Sequence, residues 1–283
     1  MKLLYYPGCT LHTVAVQFDQ STKEICKQLD IELIEISDFT CCGGLYPQTT
    51  ENLMQLQAPA RILVQAQRTD PNLELMTLCT FCYNTLKRTH YTLKKDEQKR
   101  NILNDYLEEP YNAKVKIVHL IEVFRDDIGY DTIRKKSKRS LLKGFRVAPY
   151  YGCLLLRPMN EIELDDQEQP SILEDLLYAI GCDVIEFPYR FDCCGSFHVV
   201  NKPEIAEQCS KELLRYTEQF HANCLVTCCP LCYYNISRFG GTDFNFQIFY
   251  ITQLVGLALG IEPIKLGLDP EIINKFISDS YLV

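Results

Sequence analysis

The chain has 283 residues, of which 47% are hydrophobic, enough to bury a sizeable core in one large domain or in two domains of common size. Its formal net charge of -8 excludes a global basic field that would draw it to nucleic acid or to an anionic lipid surface. It contains 15 cysteines, and the apolar run at the N-terminus is too short for a signal peptide. We therefore predict a cytoplasmic protein whose cysteines serve metal or redox chemistry and not a disulfide framework.

Predicted strands and helices alternate along the first half of the chain. In chain order the predicted elements are the strand KLLYY, a helix over 14–29, the strand IELIEI, a helix over 51–68 that includes Pro59, the strand LELMTL, a charged helix over 83–99 and the strand VKIVHL. Alternation with helices of this length predicts a parallel sheet with right-handed crossovers. In such folds ligand sites lie at the carboxyl ends of the strands, and the cysteines follow these ends.

The second half repeats the same order of predicted elements. They are the strand FRVAPYY, a helix near 171–180, the strand CDVIEF, a helix near 203–220 and a strand that ends in CLVTCC. Residues 126–145 contain the basic run RKKSKRS, which we interpret as a solvated linker, with docking of an acidic partner as the alternative. This organisation predicts two domains, residues 1–140 and residues 141–283.

Three cysteine motifs occur twice in the same order, which indicates a duplication. YYPGCTL returns as YYGCLLL, CCGG as CCGS, and CTFCYNTL as CPLCYYNI. The first copy contains Cys9, Cys41, Cys42, Cys79 and Cys82, and the second contains Cys153, Cys193, Cys194, Cys229 and Cys232. We therefore predict an α/β fold of two pseudo-symmetric halves, each a small, mostly parallel sheet flanked by helices with a cysteine-rich cluster site at the strand C-terminal ends.

The number and spacing of these thiols bear on what they bind. Thiolates select zinc, copper(I) or iron-sulfur clusters. A structural zinc ion takes four ligands, usually from paired C-x-x-C knuckles, so zinc would leave a thiol idle in each half. Adjacent cysteines suit a cluster several ångströms across, provided that the backbone turns, and Gly43, Gly44 and Gly195 permit such turns. Iron-sulfur clusters are thus favoured over zinc, and thioredoxin-like dithiol chemistry would leave three thiols of each half unused.

The doubled pattern C…CCG…CxxC covers nearly the whole chain and resembles the cysteine-rich CCG repeat in the B-type subunit of heterodisulfide reductase. The resemblance implies one noncubane [4Fe-4S] cluster in each half, ligated by the five cysteines of its motif. It also implies an oxidoreductase that cleaves a disulfide lying between the clusters in two one-electron steps. YYPGCTL and the plain CCGG look more like the bacterial relatives than the methanogen form, which leaves the physiological disulfide open.

The same resemblance implies partners. In this family, a flavin-containing subunit of the A type that bifurcates electrons and a ferredoxin-like iron-sulfur subunit of the C type feed the B-type subunit. We therefore expect the chain to act as the catalytic subunit of such a complex. Two alternatives stay open: an iron-sulfur relay that passes electrons to another partner enzyme, and a zinc-binding interaction scaffold without turnover.

Residues outside the repeated cysteines offer few further candidates. His198 follows the second cysteine pair and is the predicted proton donor to a departing thiolate; His12 is the second candidate, and a hydrogen-bonded structural role is the alternative for both. Three basic residues are candidates for contacts with an anionic substrate: Arg157, Arg190 and Lys202. Four tyrosines at strand ends are interpreted as core residues, with a substrate role as the alternative: Tyr5, Tyr6, Tyr150 and Tyr151. Five cysteines are interpreted as small core or strand-end residues: Cys26, Cys182, Cys209, Cys224 and Cys228.

Overall fold

Two four-stranded parallel sheets form the framework of the protein. The computed structural model describes residues 1–44, 46–49, 52–241, 247–271 and 273–274. The strands of the first sheet are β1 (Lys2–Tyr6), β2 (Glu32–Glu35), β3 (Leu75–Thr77) and β4 (Ile117–His119). Those of the second are β5 (Arg146–Tyr150), β6 (Asp183–Val184), β7 (Cys224–Thr227) and β8 (Gln247–Tyr250).

The two sheets have the same topology. Their strand orders are β2-β1-β3-β4 and β6-β5-β7-β8, and every neighbouring pair is parallel. β1 and β5 are therefore equivalent, as are β3 and β7, and each of these four strands has neighbours on both sides. The predicted α/β fold of two pseudo-symmetric halves is confirmed. The predicted strand CDVIEF is shorter than expected, because only Asp183 and Val184 pair with β5.

Helices connect the strands of each half. In the first half they are α1 (Gly8–Leu11), α2 (Val16–Gln28), α3 (Gln57–Thr69), α4 (Thr80–Lys95), α5 (Glu97–Asn104) and α6 (Leu120–Glu122). From the linker onward they are α7 (Tyr130–Lys136), α8 (Met159–Ile162), α9 (Ile172–Ile180), α10 (Pro203–Gln219), α11 (Pro230–Phe239) and α12 (Ile251–Ala258). Within the part of the chain that the structure describes, no helix is both long and apolar enough to cross a membrane.

Two helices differ from their predicted extents for local reasons. The predicted helix over 83–99 begins at Thr80, because Cys79 is extended and occupies the N-cap position. It ends at Lys95, because Asp96 is extended and caps a separate helix, α5. Pro59 lies in the first turn of α3, where a missing N–H leaves no intrahelical hydrogen bond unmade. The start of α4 matters for the site, since it places the second cysteine of the C-x-x-C motif inside a helical turn.

The predicted linker over 126–145 is largely helical. It contains α7 and a 3-10 turn over Arg139–Leu142. Ile133 and Leu142 are fully buried, and the Tyr130 hydroxyl donates to the Ile172 carbonyl oxygen at 3.0 Å. The basic side chains of the segment are exposed, as predicted, but its backbone packs against the second half instead of spanning solvent.

The C-terminal part of the second half packs back onto the first. Helix α12 lies on α2, where the Ser21 and Thr252 hydroxyls are 2.7 Å apart and buried. The Phe18 ring of α2 stacks on Tyr250 with centroids 4.2 Å apart, and Tyr250 stacks on Tyr233 at the same distance. The two halves thus share one continuous apolar core.

A partly buried histidine on α4 gives a pH-dependent prediction. His90 Nδ1 lies 2.6 Å from the Tyr111 hydroxyl, and burial, followed by the charges of Lys94 and Lys87, lowers the pKa of His90 to about 4. Because the unfolded value is about 6.5, the unfolded chain takes up this proton first as the pH falls. The neutral ring therefore stabilises the fold above pH 6.5, and this contribution is lost between pH 6.5 and pH 4.

We expect the free energy of unfolding of the wild type to fall by about 2 kcal/mol more than that of His90→Gln between pH 7 and pH 5. Urea unfolding of both proteins at the two pH values measures the difference, and other acid effects cancel between them. The same pH dependence in both proteins would contradict the burial of a neutral His90.

Candidate functional site

The ten repeated cysteines gather at the carboxyl ends of the strands, as the spacing predicts. Cys9 lies in α1, directly after β1, and Cys79 is two residues beyond the end of β3. Cys82 lies in the first turn of α4. Cys229 and Cys232 occupy the same positions after β7 and in α11. All 15 cysteines are free thiols.

In the first half, four sulfur atoms approach one another in two pairs. Cys9 Sγ lies 3.8 Å from Cys41 Sγ, and Cys42 Sγ lies 3.5 Å from Cys82 Sγ. Cys9 and Cys41 are exposed, whereas Cys42, Cys79 and Cys82 are buried. The site therefore has one end that solvent reaches and one end enclosed by the core.

The second half repeats this arrangement. Cys194 Sγ lies 3.5 Å from Cys232 Sγ, and the Cys232 backbone N–H donates to Cys229 Sγ at 3.4 Å. Cys193 is exposed, and Cys153, with which it interacts, is half-buried. The remaining three cysteines of the motif are buried: Cys194, Cys229 and Cys232. Each half thus presents five thiols with the same open and closed ends.

Hydrogen bonds between the thiols favour a thiolate in each half. Donation from Cys41 and then from Cys82 lowers the pKa of Cys42 to about 4. Donation from Cys153 and then from Cys194 lowers the pKa of Cys193 to about 2. Since the thiolate is the form that ligates metals, both sites are prepared for cations that bind sulfur.

Glycines form the turn at each adjacent cysteine pair, as predicted. Gly43 and Gly44 have φ values of 84° and 60°, and Gly195 has a φ of 80°, all in the left-handed region that glycine tolerates. In both halves the backbone N–H of the first glycine points back at the first sulfur of the pair, from Gly43 to Cys41 and from Gly195 to Cys193 at 3.4 Å. The turn lets two neighbouring thiols point to one site.

A second glycine in each half leaves room for a sulfur atom. A β-carbon on Gly8, which has a φ of +68°, would lie 2.9 Å from Cys82 Sγ. The equivalent position, Gly152, has the same φ, and its β-carbon would lie 3.3 Å from Cys232 Sγ. Both positions therefore favour glycine, and Gly8 has the less room for a side chain.

Replacing Gly8 with alanine should therefore cost about 3 kcal/mol of unfolding free energy, because backbone strain and crowding at Cys82 act together. The control is Gly44→Ala, which has positive φ but no heavy atom within 4 Å of its new methyl group. It should cost about 1 kcal/mol. Equal losses in the two variants, measured by chemical denaturation, would refute the close approach of Gly8 to Cys82.

Hydrogen bonds connect the two thiol sites. The Thr80 hydroxyl, inside the first C-x-x-C motif, donates to the carbonyl oxygen of Cys228, which directly precedes the second motif, at 3.4 Å. The Asn84 side-chain amide donates at 2.8 Å to the Leu154 carbonyl oxygen, in the loop that follows Cys153. Helix α4 of the first site is thus hydrogen-bonded to a ligand loop of the second site. The repeated motifs carry no signal for these contacts, because they join residues that are not equivalent.

The two histidine candidates lie in different surroundings. His198 is exposed in a 3-10 turn, its backbone N–H donates to the Gly195 carbonyl oxygen at 2.8 Å, and it interacts electrostatically with Cys193. His12 Nε2 lies 3.5 Å from a Glu35 carboxylate oxygen, and the His12 ring stacks on Phe39. Of the two, His198 is the histidine that neighbours a thiol of the second site.

The basic candidates are partly committed to other partners. Arg190 forms a 2.6 Å ion pair with Glu174, and both side chains are largely shielded from water. The guanidinium groups of Arg157 and Arg190 lie over the Phe191 ring, 5.6 and 5.1 Å from its centroid. Lys202 is exposed before α10. Arg157 is thus a better candidate than Arg190 for an anionic ligand near Cys153.

The cysteines outside the repeat are mostly core residues, as interpreted. Cys26, Cys182, Cys224 and Cys228 are buried. Cys209 is the exception, since it is half-buried on α10 against the turn at Gly195. In the described part of the chain, no three histidine, cysteine, aspartate or glutamate side chains converge closely enough to hold a single metal ion.

Both halves match the family model of the cysteine-rich CCG domain, over residues 3–87 and 147–237. The chain belongs to the CCG cysteine-rich domain family. The two CCG domains coincide with the two copies of the cysteine pattern, so the duplication inferred from the motifs is a duplication of this domain.

Two relatives match this chain over nearly its full length. The chain is 30% identical to the 8-methylmenaquinol:fumarate reductase membrane anchor subunit of Wolinella succinogenes, over 96% of this chain and 97% of that protein. It is 26% identical to the B-type subunit of the ferredoxin/F(420)H(2)-dependent CoB-CoM heterodisulfide reductase of Methanosarcina acetivorans, over 97% of this chain and 94% of that protein. The predicted resemblance to the B-type subunit of heterodisulfide reductase is confirmed.

A solved structure shares the fold. A hypothetical protein from Helicobacter pylori matches with a TM-score of 0.75 at 16% sequence identity. The match covers 95% of this chain and 51% of that chain, so this chain spans about half of the longer protein. The fold of this chain is thus found within a larger chain as well.

Proposed function

We propose that this protein is the iron-sulfur catalytic subunit of a heterodisulfide-reductase-type complex. In this proposal it reduces a disulfide to two thiols in two one-electron steps at two noncubane [4Fe-4S] clusters, one in each CCG domain. The observation that carries the proposal is the pair of adjoining five-thiol sites at the carboxyl ends of two equivalent sheets. The relatives named as B-type subunits of heterodisulfide reductase support it.

The residues present fit such a cluster. The sulfurs approach in pairs at 3.5 to 3.8 Å in the first half instead of converging on one point, and a cluster with several irons takes thiolates at different irons. A zinc ion would require four ligands around one centre. The proposed ligands are Cys9, Cys41, Cys42, Cys79 and Cys82 in residues 1–140, and Cys153, Cys193, Cys194, Cys229 and Cys232 in residues 141–283.

When bound, the clusters would supply the two electrons that, with two protons, convert one disulfide into two thiols. The chain's own residues provide access and exclusion around them. The exposed end of each site, at Cys9 and Cys41 and at Cys193, is where a small substrate would enter. The closed end, at Cys82 and Cys232, is buried in the core and keeps water from the enclosed sulfurs.

His198 is the proposed proton donor. It is exposed, follows the second cysteine pair and interacts with Cys193, so a thiolate released there lies near an imidazole, the side chain that proteins use most often to transfer protons. His198→Gln should lower the rate of thiol release, because glutamine cannot transfer a proton to the departing thiolate. An unchanged rate would remove His198 from the mechanism.

Contacts between the halves support cooperation of the two sites. The Thr80 hydroxyl bonds to the Cys228 carbonyl oxygen, and the Phe81 ring lies 5.7 Å from the Phe197 ring, which belongs to the loop after the second cysteine pair. One disulfide, with a sulfur directed to each site, is the substrate that this adjacency suits.

We propose that the chain works in the cytoplasm with a flavin-containing subunit of the A type and a ferredoxin-like iron-sulfur subunit of the C type. Two observations support this proposal. The relatives named above are subunits of larger complexes by their names. Fifteen free thiols suit a reducing compartment, where cysteines are kept from forming disulfides.

A second candidate function is an iron-sulfur relay that passes electrons to another enzyme. The relative at 30% identity supports it, since that protein is named a membrane anchor subunit of a fumarate reductase. The experiment that separates the two functions mixes anaerobic, pre-reduced protein with a panel of small disulfides and quantifies thiols. Two thiols released per two electrons consumed supports the reductase. Reduced protein that stays reduced with every disulfide, but is oxidised by a physiological partner enzyme, supports the relay.

A further inference from the structure

Two buried tyrosines each connect the strand before the first cysteine to the loop of the adjacent cysteine pair. The Tyr6 hydroxyl donates to the Thr40 carbonyl oxygen at 2.9 Å, directly before Cys41. The Tyr150 hydroxyl donates to the Asp192 carbonyl oxygen at 2.5 Å, directly before Cys193. Both tyrosine side chains are 0% exposed, whereas the two acceptor residues lie at the exposed end of each site.

These tyrosines are equivalent by position. Tyr6 pairs with Thr77 across the sheet, and Tyr150 pairs with Thr227, at the same place in the second sheet. Each precedes the first cysteine of its half by three residues. Aligning the two YY motifs would match Tyr6 with Tyr151 and not with Tyr150. The reason is that the first half has one more residue between its tyrosines and its cysteine.

The same two rings touch the loop of the first cysteine. A β-carbon on Gly8 would lie 3.6 Å from Tyr6 Cε1, and one on Gly152 would lie 3.8 Å from Tyr150 Cε1. Each tyrosine therefore packs against one ligand loop with its ring and holds a second ligand loop with its hydroxyl. Through these contacts it connects the loop of the first cysteine to the loop of the adjacent pair.

A second hydrogen bond holds the other side of each pair. The Thr85 hydroxyl on α4 donates to the Gly44 carbonyl oxygen, two residues beyond Cys42. At the equivalent position on α11, three residues after the second cysteine of the C-x-x-C motif, Asn235 donates to the Cys194 carbonyl oxygen. The backbone of each cysteine pair is thus fixed on both sides, from a strand and from the C-x-x-C helix.

We propose that Tyr6 and Tyr150 are positioning residues that hold the adjacent cysteine pairs in the geometry required to bind a cluster, each for its own half. This inference rests on the proposed function, because it assigns the tyrosines to the iron-sulfur sites. The neighbouring tyrosines have other duties: Tyr5 donates to Asp19 at 2.6 Å, and Tyr151 donates to Glu174. They are equally buried and serve as matched controls.

The test measures iron release from anaerobically purified protein to a strong iron chelator, alongside the visible and electron paramagnetic resonance spectra. In Tyr6→Phe and in Tyr150→Phe, which keep the ring and lose the hydroxyl, about half of the iron should be released about tenfold faster than in the wild type, with an altered spectrum. The double variant should release all of its iron at the faster rate. Tyr5→Phe and Tyr151→Phe should behave as the wild type.

Thr85→Val is a second test in the first half that does not depend on Tyr6→Phe folding well, since it keeps the side-chain shape and removes one donor. It should also speed the release of about half of the iron. Wild-type rates in Tyr6→Phe, Tyr150→Phe and Thr85→Val, or equal acceleration in the Tyr5→Phe control, would overturn the inference. A wild-type protein that contains no iron-sulfur cluster would instead contradict the proposed function.

Discussion

Replacing Cys82 with alanine is expected to remove about half of the iron and acid-labile sulfide and to reduce disulfide turnover to background. The Cys82 sulfur is buried and lies 3.5 Å from Cys42 Sγ, so it is the inner corner of the first site. Cys232→Ala should remove the other half, because Cys232 has the same position beside Cys194. Metal and sulfide analysis and the rate of thiol release measure both effects.

The matched control is Cys26→Ala. Cys26 is also a buried free thiol, but it lies in α2, outside the repeated pattern. This variant should keep all of the iron and the full turnover, and should lose only about 1 kcal/mol of stability through the small cavity it creates. Full iron content in Cys82→Ala, or the same loss in Cys26→Ala, would show that the repeated thiols are not cluster ligands.

The largest loss of stability is expected from Phe18→Ala. The Phe18 ring is 1% exposed and is stacked on Tyr250 with an interplanar angle of 5°. It belongs to α2 of the first half, whereas Tyr250 ends β8 of the second. Removing the ring opens a cavity where the halves meet, and we expect the free energy of unfolding to fall by about 3 to 5 kcal/mol.

Val16→Ala, on the same helix, is the control, because Val16 is 49% exposed and its change should stay within about 0.5 kcal/mol. Equilibrium denaturation monitored by circular dichroism compares the two variants. If Phe18→Ala loses less than about 1 kcal/mol, the shared core between the halves is weaker than its packing indicates.

Much of the fold could be predicted because the local patterns agree with the tertiary structure. KLLYY is apolar and ends at Pro7-Gly8, and the observed β1 ends at Tyr6. The cysteine spacing placed the thiols after strands, and parallel strands bring those ends to one edge of each sheet. The gathering of five thiols in each half therefore followed from the sequence alone.

The contacts that refine the site could not be predicted, because they depend on packing between distant segments. The equivalence of Tyr6 and Tyr150 is hidden by a one-residue difference in spacing, and counting back from each cysteine would have revealed it. The hydrogen bond from Thr80 to Cys228 joins the two halves at positions that are not equivalent in the two repeats. The apolar stretch that forms α12 gave no indication that it would pack on α2.

The central claim is that each half binds one iron-sulfur cluster. The most direct test is the quantity of iron, zinc and acid-labile sulfide per chain in anaerobically purified protein, measured together with its visible spectrum. About eight irons with comparable sulfide, and little zinc, is the predicted result. Stoichiometric zinc with little sulfide would contradict it and would favour an interaction scaffold without turnover.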